Sequence, residues 1–275
     1  MGRKPIRFGL VTDSHYAERE PAGVRYYRES LTKMGECIDR LNAEKLQFAI
    51  ETGDFKDQDT PPAEERTLAY LRQVEAAFQR FNGPTYHALG NHDMDSLSKA
   101  QFLAHVTNAG VSPERSYYSF DRKWLHIAVL DANFNPDGSA YDHGNFDWTQ
   151  PFVPSAELDW LRRDLAGTRR PAIVFLHQLL DGVGNPYVNN ADEVRAVLEA
   201  AGNVLAVFQG HHHSGSYSHV NGIHYYTLKA MIEGSGPENN SYAIGEVRPD
   251  GDITITGYRR AESMELVGAR EAAAG

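Results

Sequence analysis

The sequence predicts a mixed α/β fold with two sheets packed face to face, and three observations carry that reading. Short runs rich in Val, Ile, Leu and Phe alternate with helical stripes through the first two thirds of the chain. The final third instead holds β-rich runs joined by tight turns, the pattern of antiparallel hairpins. At 275 residues, with 41% hydrophobic and 11% aromatic content, the chain is long enough to bury a large core.

Six strands are expected from the apolar runs at 6–12, 46–52, 84–89, 124–130, 172–176 and 204–209. Between them, Tyr27, Leu31, Met34, Ile38 and Leu41 fall on one stripe of a helix over 27–41, with Cys37 beside it. Further helices are expected over 62–81, 97–107, 155–165 and 191–200. Asn190, with Glu193 three residues on, marks the start of the last. Asn221-Gly222 and Pro249-Asp250-Gly251 each separate two β-rich runs and predict hairpins, and a third hairpin is expected over 116–130. The segment 131–154 is the longest without periodicity, and loops of that length in compact folds usually serve function. One domain is expected over 1–267, followed by a frayed tail at 268–275.

The charge balance narrows the partners. With 37 acidic and 27 basic residues the net charge is −10, which provides no basic face for nucleic acid or an anionic membrane. The first residues lack the apolar run of a secretory signal, and no stretch is long enough to span a bilayer, so a cytoplasmic protein is expected. Cys37 is the only cysteine, which rules out an internal disulfide and a thiolate metal cluster.

Against that frame the polar motifs fall into place. TDSH (12–15), TGD (52–54), GNHD (90–93), LHQ (176–178) and QGHHH (209–213) all stand at the carboxyl ends of expected strands. In open α/β sheets those ends border the ligand crevice, so Asp13, His15, Asp54, Asn91, His92, His177, His211 and His213 are expected to converge. Any one of them alone would commonly be a cap or a hydrogen-bonded core group. Carboxylate, imidazole and amide oxygen without sulfur suit Mn, Fe, Zn, Ni or Co rather than Ca. A bridging carboxylate, here Asp54, would let two cations sit roughly 3.5–4 Å apart, as in two-metal hydrolytic sites. If 211–213 is extended, His211 and His213 share a face and His212 points away. His87, His105, His126, His143, His219 and His224 belong to no motif and are expected to be structural or at the surface.

This order of motifs resembles the metallophosphoesterase (calcineurin-like phosphoesterase) superfamily, whose pattern is D-x-H, G-D-x-x-D, G-N-H-D/E, a lone His and G-H-x-H. The counterparts here are DSH, GDFKD (53–57), GNHD, His177 and GHHH (210–213). The resemblance implies a four-layer α/β/β/α sandwich and two metal ions, with Mn, Fe or Zn foremost. It places Asp13, His15, Asp54 and His213 on the first metal and Asp54, Asn91, His177 and His211 on the second. It leaves His92 uncoordinated as the group that protonates the leaving oxygen, oriented by Asp57. Asp57 stands where purple acid phosphatases have a metal-binding Tyr, and Gln58-Asp59 stand where protein phosphatases have Arg-Gly.

Outside the metal blocks, RYYRES (25–30), 116–132, LDWLRRDL (158–165) and the stretch from TLKAMIEG to ITGYRR are similar to the manganese-dependent ADP-ribose/CDP-alcohol diphosphatases. Those enzymes tend to carry Gln at the position of His15 and a longer loop before RYY. By that resemblance alone, Arg25 is a substrate-phosphate contact. The expected function is hydrolysis of a small phosphodiester or pyrophosphate by in-line attack of a metal-bound hydroxide. The alternatives are a broad phosphomonoesterase, a cyclic-nucleotide phosphodiesterase, or a metal-binding scaffold without turnover.

Overall fold

The computed structural model describes residues 2–268, so the expected tail lies, beyond Gly268, outside the described residues. In chain order the elements are β1 (Ile6–Val11), α1 (Glu29–Asn42), β2 (Phe48–Thr52), α2 (Glu64–Phe78), β3 (Thr85–Ala88), α3 (Lys99–Leu103), β4 (Tyr118–Arg122), β5 (Leu125–Val129) and α4 (Ser155–Ala166). They continue as β6 (Ala172–Phe175), α5 (Ala191–Ala201), β7 (Val204–Gln209), β8 (Ser216–Val220), β9 (Ile223–Thr227), β10 (Ser241–Val247), β11 (Ile253–Arg259) and β12 (Met264–Leu266). All six expected strands form, and the three expected hairpins pair antiparallel as β4–β5, β8–β9 and β10–β11. Between β8 and β9, Asn221 and Gly222 both take positive φ, +49° and +83°, the requirement of a two-residue turn that follows the strand twist.

The strands make two six-stranded mixed sheets, ordered β12-β11-β10-β1-β2-β3 and β4-β5-β6-β7-β9-β8. Their alternation sorts side chains into three apolar layers. Phe8, Leu10, Phe48 and Ile50 of the first sheet meet Ile127, Ile173, Phe175 and Phe208 of the second. On the outer face of the first sheet, Val11 and Ala49 pack under Met34, Cys37 and Ile38 of α1 and Leu71, Val74 and Phe78 of α2. On the outer face of the second, Val174 and Val207 pack under Leu158 and Leu161 of α4 and Val194 and Leu198 of α5. Three apolar layers between two helical and two sheet layers are the expected four-layer α/β/β/α sandwich. No described helix is long and apolar enough to cross a membrane.

Two local expectations need correction. The helix expected over 97–107 shrinks to Lys99–Leu103: Ser98 and Gln101 box its start, but His105 brings its ring Nδ1 2.7 Å from the Gln101 carbonyl. The backbone N–H of His105 bonds Phe102 O instead, so the ladder tightens and stops. Asn190 stands at the N-cap position just before α5 but its side chain caps nothing there. Its amide instead accepts from Val153 N at 3.0 Å and donates to Val153 O at 2.9 Å, fastening the end of the long loop to the helix. The short edge strand β12 had no expectation in the sequence.

Candidate metal centre

The loops leaving β1, β2 and β3 in one sheet, and β6 and β7 in the other, meet in one cleft of about 590 Å³. Two sets of donor atoms converge there. Asp13, His15 and His213 form one, and Asp54, His177 and His211 the other, each with its donors within 4.8 Å of one another. Facing imidazole nitrogens stand 3.3 Å apart in the first (His15 Nε2 and His213 Nε2) and 3.2 Å in the second (His177 Nε2 and His211 Nδ1). Two nitrogens at about 2.1 Å from one ion, subtending roughly 100°, would have that separation. Asp54 Oδ2 joins the sets, lying 3.5 Å from His15 Nε2 and 3.1 Å from His177 Nε2.

Unsatisfied acceptors mark the same place. Asp13 Oδ1 and Asn91 Oδ1 are buried and accept no hydrogen bond, a costly state for an oxygen unless a cation takes up its lone pairs. The donor set therefore fits hard or borderline cations of the Mn, Fe and Zn type. A third set, His15, Asp57 and His92, also gathers within that radius. There His92 Nδ1 is already bound to Asp95 Oδ2 at 2.7 Å, which leaves the two-set arrangement as the fuller one.

The outward nitrogens of two imidazoles are held from behind: His177 Nδ1 bonds the Thr52 carbonyl at 2.8 Å and His213 Nδ1 lies 3.1 Å from Glu233 Oε1. Such partners fix the tautomer that presents Nε2 to an ion. His15 Nδ1 lies 3.3 Å from Asp57 Oδ2 without a hydrogen bond. Glu233 is itself fixed by Arg260, at 2.9 Å, and its backbone by the buried Lys33, whose ammonium donates to the carbonyls of Met231, Glu233 and Gly234. Burial pulls the Lys33 ammonium down to about 8.

Asp57, expected to orient His92, makes its shorter contact with His15 and stands 3.7 Å from His92 Nδ1. Asp95, which sequence reasoning did not single out, makes the close contact with His92. Three residues after His92 and just past the single helical turn Asn91–Met94, it was within reach of an i, i+3 argument. Arg25 lines the cleft near His213, in the turn before α1.

Burial opposes charge on every group here, and mutual attraction overcomes it for most. Asp13 and Asp54 are held well below the ordinary carboxylate range despite burial, chiefly by His177. Burial would lower His177 and His213, but carboxylates lift them to about 10 and about 9. For His211, burial and the neighbouring His177 charge act together and push it down to about 3. A ligating His must be neutral, so His177 and His213 would have to give up protons to a cation bound at these sets.

Backbone conformation shows how tightly the site is drawn. Asp13, His15, Asp54 and His211 all adopt positive φ, between +44° and +65°, a rare state for residues with a Cβ. At His211 this bends the chain, so 211–213 is not extended. His212 is exposed and lines the cleft beside its neighbours, outside the donor sets, so the expectation that it points away does not hold. Asp93, the last residue of GNHD, is fully buried and ties two motif loops together: its carboxylate accepts from Gly90 N at 2.8 Å, Asp54 N at 3.1 Å and Phe55 N at 2.9 Å. The buried Lys56 ammonium donates to the His92 carbonyl from the other side. Gly90 is where these loops touch, since a Cβ there would sit 2.1 Å from Asp54 N and 2.2 Å from Asp54 Oδ1. Gly90→Ala is therefore expected to cost about 1–3 kcal/mol of stability and to lower metal content with it. Thermal melting and elemental analysis check this; a variant with wild-type melting and two ions would show that the loops part freely.

The long loop supplies Phe146 and Trp148 to the cleft wall, joined by Asn185 and Pro186. A model of the family described as calcineurin-like phosphoesterase matches residues 6–215, most of the chain. The chain belongs to the calcineurin-like phosphoesterase family. This phosphoesterase is 28% identical to the manganese-dependent ADP-ribose/CDP-alcohol diphosphatase of Oryza sativa subsp. japonica, over 95% of this chain and 94% of the relative. It is 23% identical to a 3′,5′-cyclic-nucleotide phosphodiesterase of Nostoc sp., over 89% of this chain and 85% of the relative. The crystal structure of a dimetal phosphatase from Danio rerio superposes with a TM-score of 0.82 at 20% identity, covering 95% and 98% of the two chains, a likeness of fold. The phosphoesterase is a metal-dependent hydrolase acting on phosphate ester or diphosphate bonds.

Proposed function

We propose that this phosphoesterase cleaves the pyrophosphate bond of a small nucleoside diphosphate derivative, with two cations shared between the donor sets. Asp13, His15, Asp54 and His213 would hold one ion, and Asp54, Asn91, His177 and His211 the other. The observation that carries this is the Asp54 Oδ2 atom, within 3.5 Å of an imidazole from each set. When bound, the ions supply Lewis-acid charge that polarises the phosphoryl group and makes a water acidic enough to react near neutral pH. The remaining work falls to the chain. His92 sits beside Asn91 at the cleft, and the carboxylates of Asp54, Asp95 and Asp57 outweigh burial and raise its imidazole to about 9. It is thus supplied with the proton a departing oxygen needs, while a bound cation works against that rise. Asp95 and Asp57 are positioning residues, the first for His92 and the second for His15 as well. Arg25, on the cleft rim, is placed to meet a phosphate oxygen not held by the ions.

The rice relative's named substrates are the support for pyrophosphate over monoester, and the cyclic-nucleotide phosphodiesterase of Nostoc sp. supports a diester as the second reading. The net charge of −10 supports a small phosphorylated substrate over nucleic acid or membrane; the reading places the reaction in the cytoplasm and in one domain spanning 1–267. The test is turnover of ADP-ribose, CDP-choline, a cyclic nucleotide, bis-p-nitrophenyl phosphate and p-nitrophenyl phosphate by metal-stripped protein reloaded with Mn, Fe, Zn or Mg. The expected result is the highest kcat/KM on ADP-ribose or CDP-choline with Mn. A clear preference for p-nitrophenyl phosphate or the cyclic nucleotide would replace this reading, and no turnover on any of them would leave a scaffold.

A further inference from the structure

Among the described residues, one large aromatic side chain of the cleft is left open to solvent. Trp148 is 47% exposed, whereas Trp124 is 8% exposed and Trp160 is part-buried against Tyr117. Among the described residues, the one ring that meets its indole is the His211 imidazole, at 5.9 Å between centroids and 63° between planes, so no aromatic ring stacks on the indole. Exposed tryptophan at a polar cleft is unusual enough to call for a ligand.

The loop segment that carries Trp148 is held in place. The rings of Tyr141 and Phe146 stack at 4.0 Å with an 8° tilt, two residues before it, and Tyr141 is fully buried. On either side, the Asp147 carboxylate accepts from Thr149 N at 2.9 Å and Thr149 Oγ1 at 2.7 Å. Farther back, Asn133 donates to the Leu89 carbonyl at 2.7 Å, and Lys99 pairs with the buried Asp131 at 2.5 Å. The loop therefore carries Trp148 on a backbone fastened at several points, which limits the ordering needed when something lands on it.

We infer that Trp148 is a stacking platform for a planar ring in the substrate, the base of a nucleoside whose phosphate lies over His211. This specificity role rests on the phosphohydrolase reading above. Size and chemistry both favour a nucleoside. A cleft of about 590 Å³ suits a small molecule, and apart from Phe146, Trp148 and Pro186 its walls are polar, with no trough for an alkyl chain. Because the indole abuts the His211 imidazole, a ring on it stands one sugar away from a phosphate at the donor sets. A neutral base stacked on a neutral indole needs no countercharge, which the acidic chain does not provide.

The test compares AMP and CMP with ribose 5-phosphate, which keeps the sugar and phosphate but lacks the base. Affinities are measured by calorimetry on the full chain loaded with Mn. In the wild type, AMP should bind about 10-fold or more tightly than ribose 5-phosphate, the scale of one base on one aromatic ring. Trp148→Ala should abolish that difference while leaving ribose 5-phosphate affinity and metal content unchanged, and Trp148→Phe should keep most of it. Equal affinity of the wild type for AMP and ribose 5-phosphate, or an undiminished preference in Trp148→Ala, would overturn the inference. If ADP-ribose and CDP-choline are not hydrolysed but the base preference depends on Trp148, the hydrolytic reading fails and the platform stands.

Discussion

Asp54→Ala is expected to empty both cation positions and to reduce turnover to the uncatalysed background. The reason is that its carboxylate serves both donor sets through one oxygen, at 3.5 Å from His15 and 3.1 Å from His177. Its other oxygen accepts the His92 backbone N–H at 2.8 Å, so the substitution also loosens the turn that carries Asn91 and His92. His177→Ala is the control: it touches only the second set and should leave about one ion per chain. Elemental analysis separates the cases, and two ions retained in Asp54→Ala would end the bridging assignment.

His92→Ala is expected to keep both ions and the fold yet lose about 10²–10⁴-fold in kcat on substrates with an alkoxide leaving group, the usual contribution of a placed acid or base. The loss should be smaller on nitrophenyl esters, whose leaving group departs without a proton. The geometry motivates the split: His92 lines the cleft beside Asn91, and its Nδ1 is committed to Asp95 at 2.7 Å, leaving Nε2 as the atom that can meet substrate. Asp95→Asn should reproduce part of the loss with metal content intact. If His92→Ala releases an ion, the third gathering of His15, Asp57 and His92 is a ligand set; if it turns over alkyl esters at the wild-type rate, His92 has no part in proton transfer.

The parts of the site that were readable in the sequence share a cause. Asp13, His15, Asp54, Asn91, His177, His211 and His213 are donors placed directly after apolar runs, so the strand pattern and the chemistry locate them together. The hairpin at Asn221-Gly222 was equally legible, because a two-residue turn dictates its residues. What escaped depends on approach through space. Glu233 reaches His213 across 20 residues, Lys33 reaches the Glu233 loop across 200, and neither separation carries any periodic signal. Asp93 stood inside a recognised motif, yet its work of joining Gly90, Asp54 and Phe55 becomes visible only when the loops are in contact. Asn190 shows the opposite error: a residue type right for a cap was claimed by Val153 instead, since a tertiary partner outcompetes a local one.

The donor sets draw on both sheets: Asp13, His15 and Asp54 come from the first, and His177, His211 and His213 from the second. Cations held there would act as rivets between two plates, in a chain whose single cysteine cannot supply a covalent one. The distance between the plates is set elsewhere, by the wedge of Phe8, Phe48, Phe175 and Phe208, whose rings meet at 5.1 to 6.4 Å in the buried layer between them. Phe175 lies two residues before His177 on β6, and Phe208 three before His211 on β7, so any shift of that wedge is passed straight along the strands to the rivet holes. The gauge of the catalytic gap is thus machined in hydrocarbon, out of reach of solvent, ion or substrate.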